Sequence, residues 1–532
     1  MTNSLLVLSA HPFFKSDSLL KSRKNIFNFL FLLIIIPTIL SCSKQEHSRA
    51  NQIVVALDSN PTQLDPRLSQ DSVSNQIQSF LFSPLLSFDK KGKIELILAK
   101  KWEHLDPLSH TIEIREKIFF HNGKELTSED IKYTFESLRD PLFGSPKSSM
   151  LKDLKEIQLI SKYKLTFKLK RPSASFAECL MIGIVPKSAS KDFQQKPIGT
   201  GPFKFSHYKN DETLELISFK KYFKKPPNFK KLTFKIIPEE TIRILELESG
   251  GVDFIQNGFS PDILPRLEKN PNLKISKRLG TNFSYIGFNL EDPILSNKLV
   301  RKAIAHAINK KPIIKYILKD LVVPSNSLLH PNHWAFNPNI QEYKHDIQYS
   351  NELLDKAGYI DPDGEGPLPR FTLTFKTSQN ELRLRIATVL ADQLSSVGIK
   401  IRIRSYEWGT FFSDIRKGNF QIYSLTWVGI SDPDIYRFIF HSNFFSPKGL
   451  NRGKYHNSKI DKLLESASLK QNKEYRKTKY HIVQKILAND LPYINLWHSV
   501  NVAVFSRKIK GYNIYQNEDL ISLSKITIEN RP

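Results

Sequence analysis

Apolar residues recur along this chain in two rhythms, one of period two and one near 3.6 residues, which separate strands from helices. The run Gln52 to Asp58, QIVVALD, is almost continuously apolar and predicts a first strand, after which Thr62 to Arg67, TQLDPR, breaks into a turn. Val73, Ile77, Phe80 and Leu81 share one helical face, and Pro84 follows where it would stop that helix. Ile112, Ile114 and Ile118 alternate through Thr111 to Phe120, a strand leading into hairpin-turn chemistry at His121-Asn122-Gly123. Thr127 is placed to cap a helix whose buried stripe is Ile131, Phe135 and Leu138, with Asp130 complementing the helix start. Tyr163, Leu165, Phe167 and Leu169 alternate with Lys164, Thr166 and Lys168, a strand with one wet face; Leu232, Phe234 and Ile236 repeat the pattern.

The later half reads as an α/β layer. Leu299, Val300, Ala303, Ile304, Ala307 and Ile308 form a helical stripe, and Leu382, Ile386, Leu390, Leu394 and Val397 form another. Gly398 is placed to end the second helix, and Ile399, Ile401 and Ile403 then alternate with Lys400, Arg402 and Arg404. Tyr480 to Leu487 is again helical, and Tyr493 to Trp497 and Val502 to Phe505 predict two further strands. The segment Leu425 to Asp434, LTWVGISDPD, is an apolar strand running into a polar, proline-stiffened turn. Trp427 there is either a ligand-stacking wall or a core residue beside a surface turn, and Gly429 lets backbone approach closely.

The first forty residues follow neither rhythm. Lys21, Arg23 and Lys24 precede FLFLLIIIPTIL, from Phe29 to Leu40, which ends at Ser41-Cys42. A basic region, a short apolar region and a small residue make an export signal over residues 1–41, too short for a comfortable membrane span of ~20 residues. That order resembles the bacterial lipoprotein signal, which implies diacylglycerol on the Cys42 thiol and cleavage just before it. Residues 42–51 then read as a polar tether.

Length and composition narrow the function. A chain of 532 residues exceeds one ordinary core and predicts two or more domains. Its formal charge of +25 is spread along the chain, with no long basic block, zinc spacing or RNA-binding aromatic strand, so nucleic acid is not an expected partner. Two cysteines exclude a disulfide scaffold and a zinc–cysteine cluster. No nucleophile elbow, metalloprotease helix, phosphate loop or dinucleotide fingerprint occurs. The fourteen histidines are scattered, and His121 and His306 read as structural or surface residues. Asp361 to Gly366 lacks calcium-loop spacing and reads as an acidic turn. The sequence therefore offers no catalytic motif, no metal site and no cofactor fingerprint.

The block from Trp102 to Leu138 carries Thr111-Ile112-Glu113-Ile114-Arg115 followed by FFHNGKELTSEDI from Phe119. It is supported by Pro197 to Lys204, by Phe288-Asn289-Leu290 with Val300 to Ile304, by Val397 to Lys400, and by Trp427 to Pro433 and Leu491 to Trp497. In this order and spacing the chain resembles the extracytoplasmic solute-binding proteins of peptide and nickel ABC importers. The resemblance implies an α/β, two-lobed clamshell of the type II periplasmic-binding-protein kind with an extra small inserted domain. The first lobe would combine 52–84, 186–289 and 491–532; the inserted domain would be 85–185 and the second lobe 290–490. Crossings would fall near Phe288 to Leu290 and Leu491 to Trp497.

The implied function is a receptor, lipid-anchored through acylated Cys42 on the extracytoplasmic side of a bacterial envelope. It would capture a short peptide or peptide-like solute in the interdomain cleft and pass it to ABC permease subunits. A clamshell sensor or adhesin without transport is the alternative. Ligand contacts are implied at Asp65 in the first lobe and at Trp427, Gly429, Ile430, Asp432 and Asp434 in the second. Peptide binders of the family place an aspartate for the ligand's α-amino group where this chain has Ile430. Either Asp432 or Asp434 takes over that role, or the ligand has no free amine there, because an enclosed ammonium left unpaired costs several kcal/mol.

Overall fold

The computed structural model describes residues 51–529 apart from 70, 91–92, 174–175, 190–192, 365 and 448, so the expected export signal and Cys42 lie outside the described residues. Among the described residues no helix is long and apolar enough to cross a membrane.

The first strand, Gln52–Leu57, pairs in parallel with Lys231–Ile236 and Phe254–Gln256. Its unbroken apolar run follows from burial on both faces. Ile53 and Val55 join a core with Phe80, Phe203 and Phe234, while Val54 and Ala56 join Ile244, Leu247 and Val504 in another.

The same sheet continues through two long strands, Leu273–Phe288 and Tyr493–Ser506, into a second half. There Ile422–Trp427 and Ile399–Tyr406 flank Phe371–Ser378 in parallel. Alternate residues of these strands enter different cores. Ile286, Phe288, Phe375 and Ile422 pack with Val300, Ile304 and Leu390 from helices Lys298–Ala307 and Glu381–Ser395. Phe283, Tyr285, Tyr423 and Tyr493 pack instead with Tyr436 and Tyr480. The Tyr285 and Tyr493 rings stack with centroids 4.1 Å apart.

A small antiparallel sheet stands apart, in the order Ala99–Asp106, Ser109–Ile114, Lys164–Leu169, Leu154–Ser161. Helix Ser128–Arg139 covers it through Ile131, Phe135 and Leu138, as the stripe predicts. The Thr127 amide donates to Asp130 Oδ2 at 2.9 Å, half of a capping box of a kind that contributes about 1 kcal/mol.

Several expectations shift in the folded chain. The strand expected from Thr111 to Phe120 ends at Ile114, because Lys117 takes a left-handed φ of 56°. Ile118 and Phe120 still reach the small core, so the burial pattern survives the loss of extended pairing. The wet face expected at Thr166 is dry: Thr166 is buried and its hydroxyl shares a hydrogen bond with Thr111 at 2.8 Å. The two strands expected near the C-terminus are one strand of 14 residues.

The passage between halves also differs from expectation. Residues up to Ile275 and from Val500 onward belong to first-half cores, while Phe283 and Trp497 belong to the second. The change of core therefore falls around Leu279 to Phe283, where the pairing register shifts, and around His498 to Asn501. Gly280 sits at this point for steric reasons: a Cβ there would lie 2.7 Å from Asn501 Oδ1. Asn501 is fully buried and donates through Nδ2 to the carbonyls of Tyr515 and Gln516, each at 3.1 Å, which ties the C-terminal segment to the crossing.

Candidate functional site

Two cavities meet beside this crossing. One, of about 700 Å³, lies between first-half residues such as Gln78 and Tyr515 and small-domain residues such as Met150 and Ile182. The other, of about 630 Å³, has walls from three sources: Trp102, His110 and Glu178 of the small domain; Thr281 and Gln516 at the crossing; and His330, Ile430 and Arg476 of the second half. Phe88 and Glu178 line both cavities. A third space, of about 420 Å³, is bounded by Thr426 and Val428 on one side and by Asn501 and Glu518 on the other.

Each candidate residue has a definite place. Trp427 lines none of the three spaces. It stacks on Tyr285 at 6.0 Å with planes 8° apart, and the Arg452 guanidinium lies 4.3 Å from its ring centroid. Gly429 has φ 68°, a conformation that a Cβ would strain, and its amide donates to Asn282 Oδ1 at 2.9 Å. Asn282 Nδ2 in turn donates to Glu518 Oε1 at 2.8 Å, so this one amide joins the crossing strand, the second half and the C-terminal segment. Burial pushes the Glu518 carboxyl up to about 7, against the Asn282 hydrogen bond. Ile430 is buried in the aromatic core and also lines the 630 Å³ cavity.

The two aspartates proposed as ammonium partners are engaged elsewhere. Asp432 lines the cavity but accepts from Arg476 Nη2 at 2.8 Å and from the Asp434 amide at 2.8 Å. Asp434 is 1% exposed, accepts from the Tyr480 hydroxyl at 3.1 Å and lies 3.4 Å from Arg437 Nε. Burial raises the Asp432 carboxyl; Arg476 opposes that, and Asp434 adds to it. Asp65 is 2% exposed and gripped by Arg67, whose Nη2 reaches Oδ2 at 2.7 Å and whose Nε reaches Oδ1 at 3.0 Å. The Arg67 guanidinium lies 4.4 Å from the Phe143 ring centroid, so this pair braces the first half; the neighbouring Pro66, not Asp65, reaches the 700 Å³ cavity.

His110, His330 and Glu178 carry no motif that marks them in the sequence. His110 is 1% exposed, and neither of its ring nitrogens has a partner; His330 Nε2 and Trp102 Nε1 are likewise buried and unpaired. Burial lowers His110 to about 4, helped by His104, and lowers His330 as well. His333 accepts the Ala335 amide at Nδ1, so its Nε2 carries the proton and donates to the Ser431 carbonyl at 3.0 Å. Burial keeps these rings neutral: His110 offers one donor and one acceptor, while His330, whose Nδ1 accepts the Asn332 amide at 2.9 Å, offers its Nε2–H as a donor. Glu178, on the short helix Phe176–Cys179, accepts from Ser431 Oγ at 3.1 Å across 253 residues of sequence. No local pattern could have shown that pairing.

The chemistry on offer is recognition. Among the described residues no group of three or more His, Cys, Asp or Glu is arranged to hold a metal ion. The Cys179 thiol is buried, pushed up to about 12 by burial, and donates to the Met150 carbonyl at 3.3 Å, so it is not a nucleophile.

Comparison with known proteins agrees with this reading. Residues 93–447 match the family model described as bacterial extracellular solute-binding proteins, family 5 Middle. The chain is 29% identical over 547 residues to the oligopeptide-binding protein AppA of Bacillus subtilis, covering 95% of this chain and 99% of that one. It is 27% identical over 515 residues to heme-binding protein A of Haemophilus influenzae, covering 88% and 91%. The solved structure of Bacillus subtilis AppA in complex with a nonapeptide superposes with a TM-score of 0.80 at 27% identity, over 90% of this chain and 99% of that one.

Proposed function

The chain belongs to the bacterial extracellular solute-binding proteins of family 5, and from that premise we infer that its cargo is a short peptide or peptide-like solute. The protein is an extracytoplasmic receptor that hands a bound solute to an ABC permease, and it catalyses no reaction. The observation that carries the peptide reading is the 630 Å³ cavity, whose walls come from both halves and which adjoins a second cavity at Glu178. Its unpaired neutral imidazoles suit the alternating N–H and C=O groups of a peptide backbone. Likeness to a relative solved with a nonapeptide supports the same reading.

The lobes we assign are residues 52–84, 186–289 and 491–532 for the first, 85–185 for the inserted domain and 290–490 for the second. The separate cores support three bodies of this kind, with the joins moved to about 279–283 and 498–501, because Ile286, Phe288 and Leu491 to Trp497 pack in second-half cores. Of the candidate contacts, Ile430 and Asp432 fit the reading as cavity walls, and Gly429 through its bond to the crossing. Asp65, Asp434 and Trp427 fit it as supports behind the walls. The basic, apolar and cysteine order at the N-terminus supports anchoring through acylated Cys42.

The test is thermal unfolding of the purified protein with a pool of di- to nonapeptides. A ligand that binds only the folded state at a hundredfold excess over Kd adds about 2.7 kcal/mol, and the midpoint should rise accordingly. An unchanged midpoint across peptides of every length in the pool would reject peptide as cargo.

A further inference from the structure

We propose that Glu178 is the residue that holds a cationic group of the cargo, a primary ammonium or a guanidinium, at the junction of the two cavities. This rests on reading the 630 Å³ cavity as the ligand site. Glu178 lines that cavity and its neighbour, and its bond to Ser431 spans the gap between the inserted domain and the second half. Among the described residues no lysine, arginine or histidine lies within ion-pair distance of it. The nearest positive influence, Arg476, is already bonded to Asp432.

A carboxylate in such a place needs a positive partner. Desolvation disfavours its charge, and Asp432 and Asp434 on the facing turn add like-charge repulsion; these push the Glu178 carboxyl up to about 8. The groups around it do not relieve this. Cys179 beside it on the same helix is a neutral thiol, and His110 across the cavity is neutral. With the cavity empty a proton fills the role, and a ligand cation would displace that proton. A second feature marks the cavity as a built ligand site: His110, almost wholly buried, lines it with both ring nitrogens unpartnered, and His330 lines it with Nε2 unpartnered. A cation in contact with Glu178 would place the rest of the ligand within reach of these groups. The position also explains how a chain with Ile430, and with Asp432 and Asp434 engaged, can still receive an amine: the carboxylate comes from the opposite wall.

Affinities are compared by calorimetry for a defined set of tripeptides with free amino termini and the same set N-acetylated. Free amino acids and diamines are tested beside their acetylated forms. Wild type should prefer the free amines at least tenfold and release a proton on binding them at pH 7, seen as a dependence on buffer ionisation heat. Glu178→Gln, which keeps the shape and the acceptor for Ser431, should erase both the preference and the proton release. Ser431→Ala serves as a milder second variant and should retain the preference. If Glu178→Gln keeps the preference, or wild type shows none in either panel, the proposal is overturned. If only non-peptide amines bind and their preference needs Glu178, the proposal stands and the peptide reading falls.

Discussion

Replacing Arg476 with methionine is expected to destabilise the protein by about 3–5 kcal/mol, because it strips the cation from a buried pair and leaves the anion in place. Arg476 Nη2 and Asp432 Oδ1 are 2.8 Å apart, with side chains 8% and 18% exposed. Asp434 adds like-charge repulsion to Asp432, so the variant removes the guanidinium that offsets both burial and that repulsion at Asp432, while Arg437 stays with Asp434. Asp432, already raised by burial, would rise further once Arg476 is gone. A carboxyl whose folded value exceeds its unfolded value contributes stability in acid and loses it as pH rises through the folded value. The penalty should therefore be larger at pH 8 than at pH 5. Urea unfolding at the two pH values checks this through the midpoint at constant slope. The double variant Asp432→Asn with Arg476→Met should recover most of the loss, since an amide oxygen can still accept the Asp434 amide. A single variant within 1 kcal/mol of wild type would show that the pair is not a brace of the cavity wall.

Cys42→Ser should move the protein wholly out of the membrane fraction. A thioether-linked diacylglycerol needs the thiol, and the apolar run before Cys42 is short for a span. The membranes are washed in high salt before they are assayed, because a formal charge of +25 can hold the protein to an anionic bilayer by screened attraction alone. Complete retention of Cys42→Ser after the wash would mean that the uncleaved segment is itself the anchor.

Strands and helices with a strong period were legible in the sequence because burial imposes the period directly. Gln52–Leu57, Lys231–Ile236, Lys298–Ala307 and Glu381–Ser395 fall where apolar residues recur. The 16-residue strand Leu273–Phe288 was not legible, because its middle leaves one core before it enters another, and Gly280-Thr281-Asn282 interrupts its alternation. The site was less legible still. The turn from Ile430 to Asp432 is a cavity wall that its own sequence marks. Glu178 and His110 become site residues only through a partner far away in the chain, so nothing near them announces it. Asp65 and Asp434 were implied as ligand groups by the family resemblance; Arg67 and Arg437, which pair with them, come from the same turn of chain.

A two-lobed fold is expected to shut around its cargo, and the Glu178–Ser431 hydrogen bond, which joins the inserted domain to the second half, would hold the shut form. The most direct measurement is the distance between fluorophores on Leu142→Cys and Ile360→Cys, both exposed, in a Cys42→Ser background where buried Cys179 resists labelling. Saturating peptide should shorten that distance and narrow its distribution. Peptide that binds fully while the distance stays the same would contradict the account.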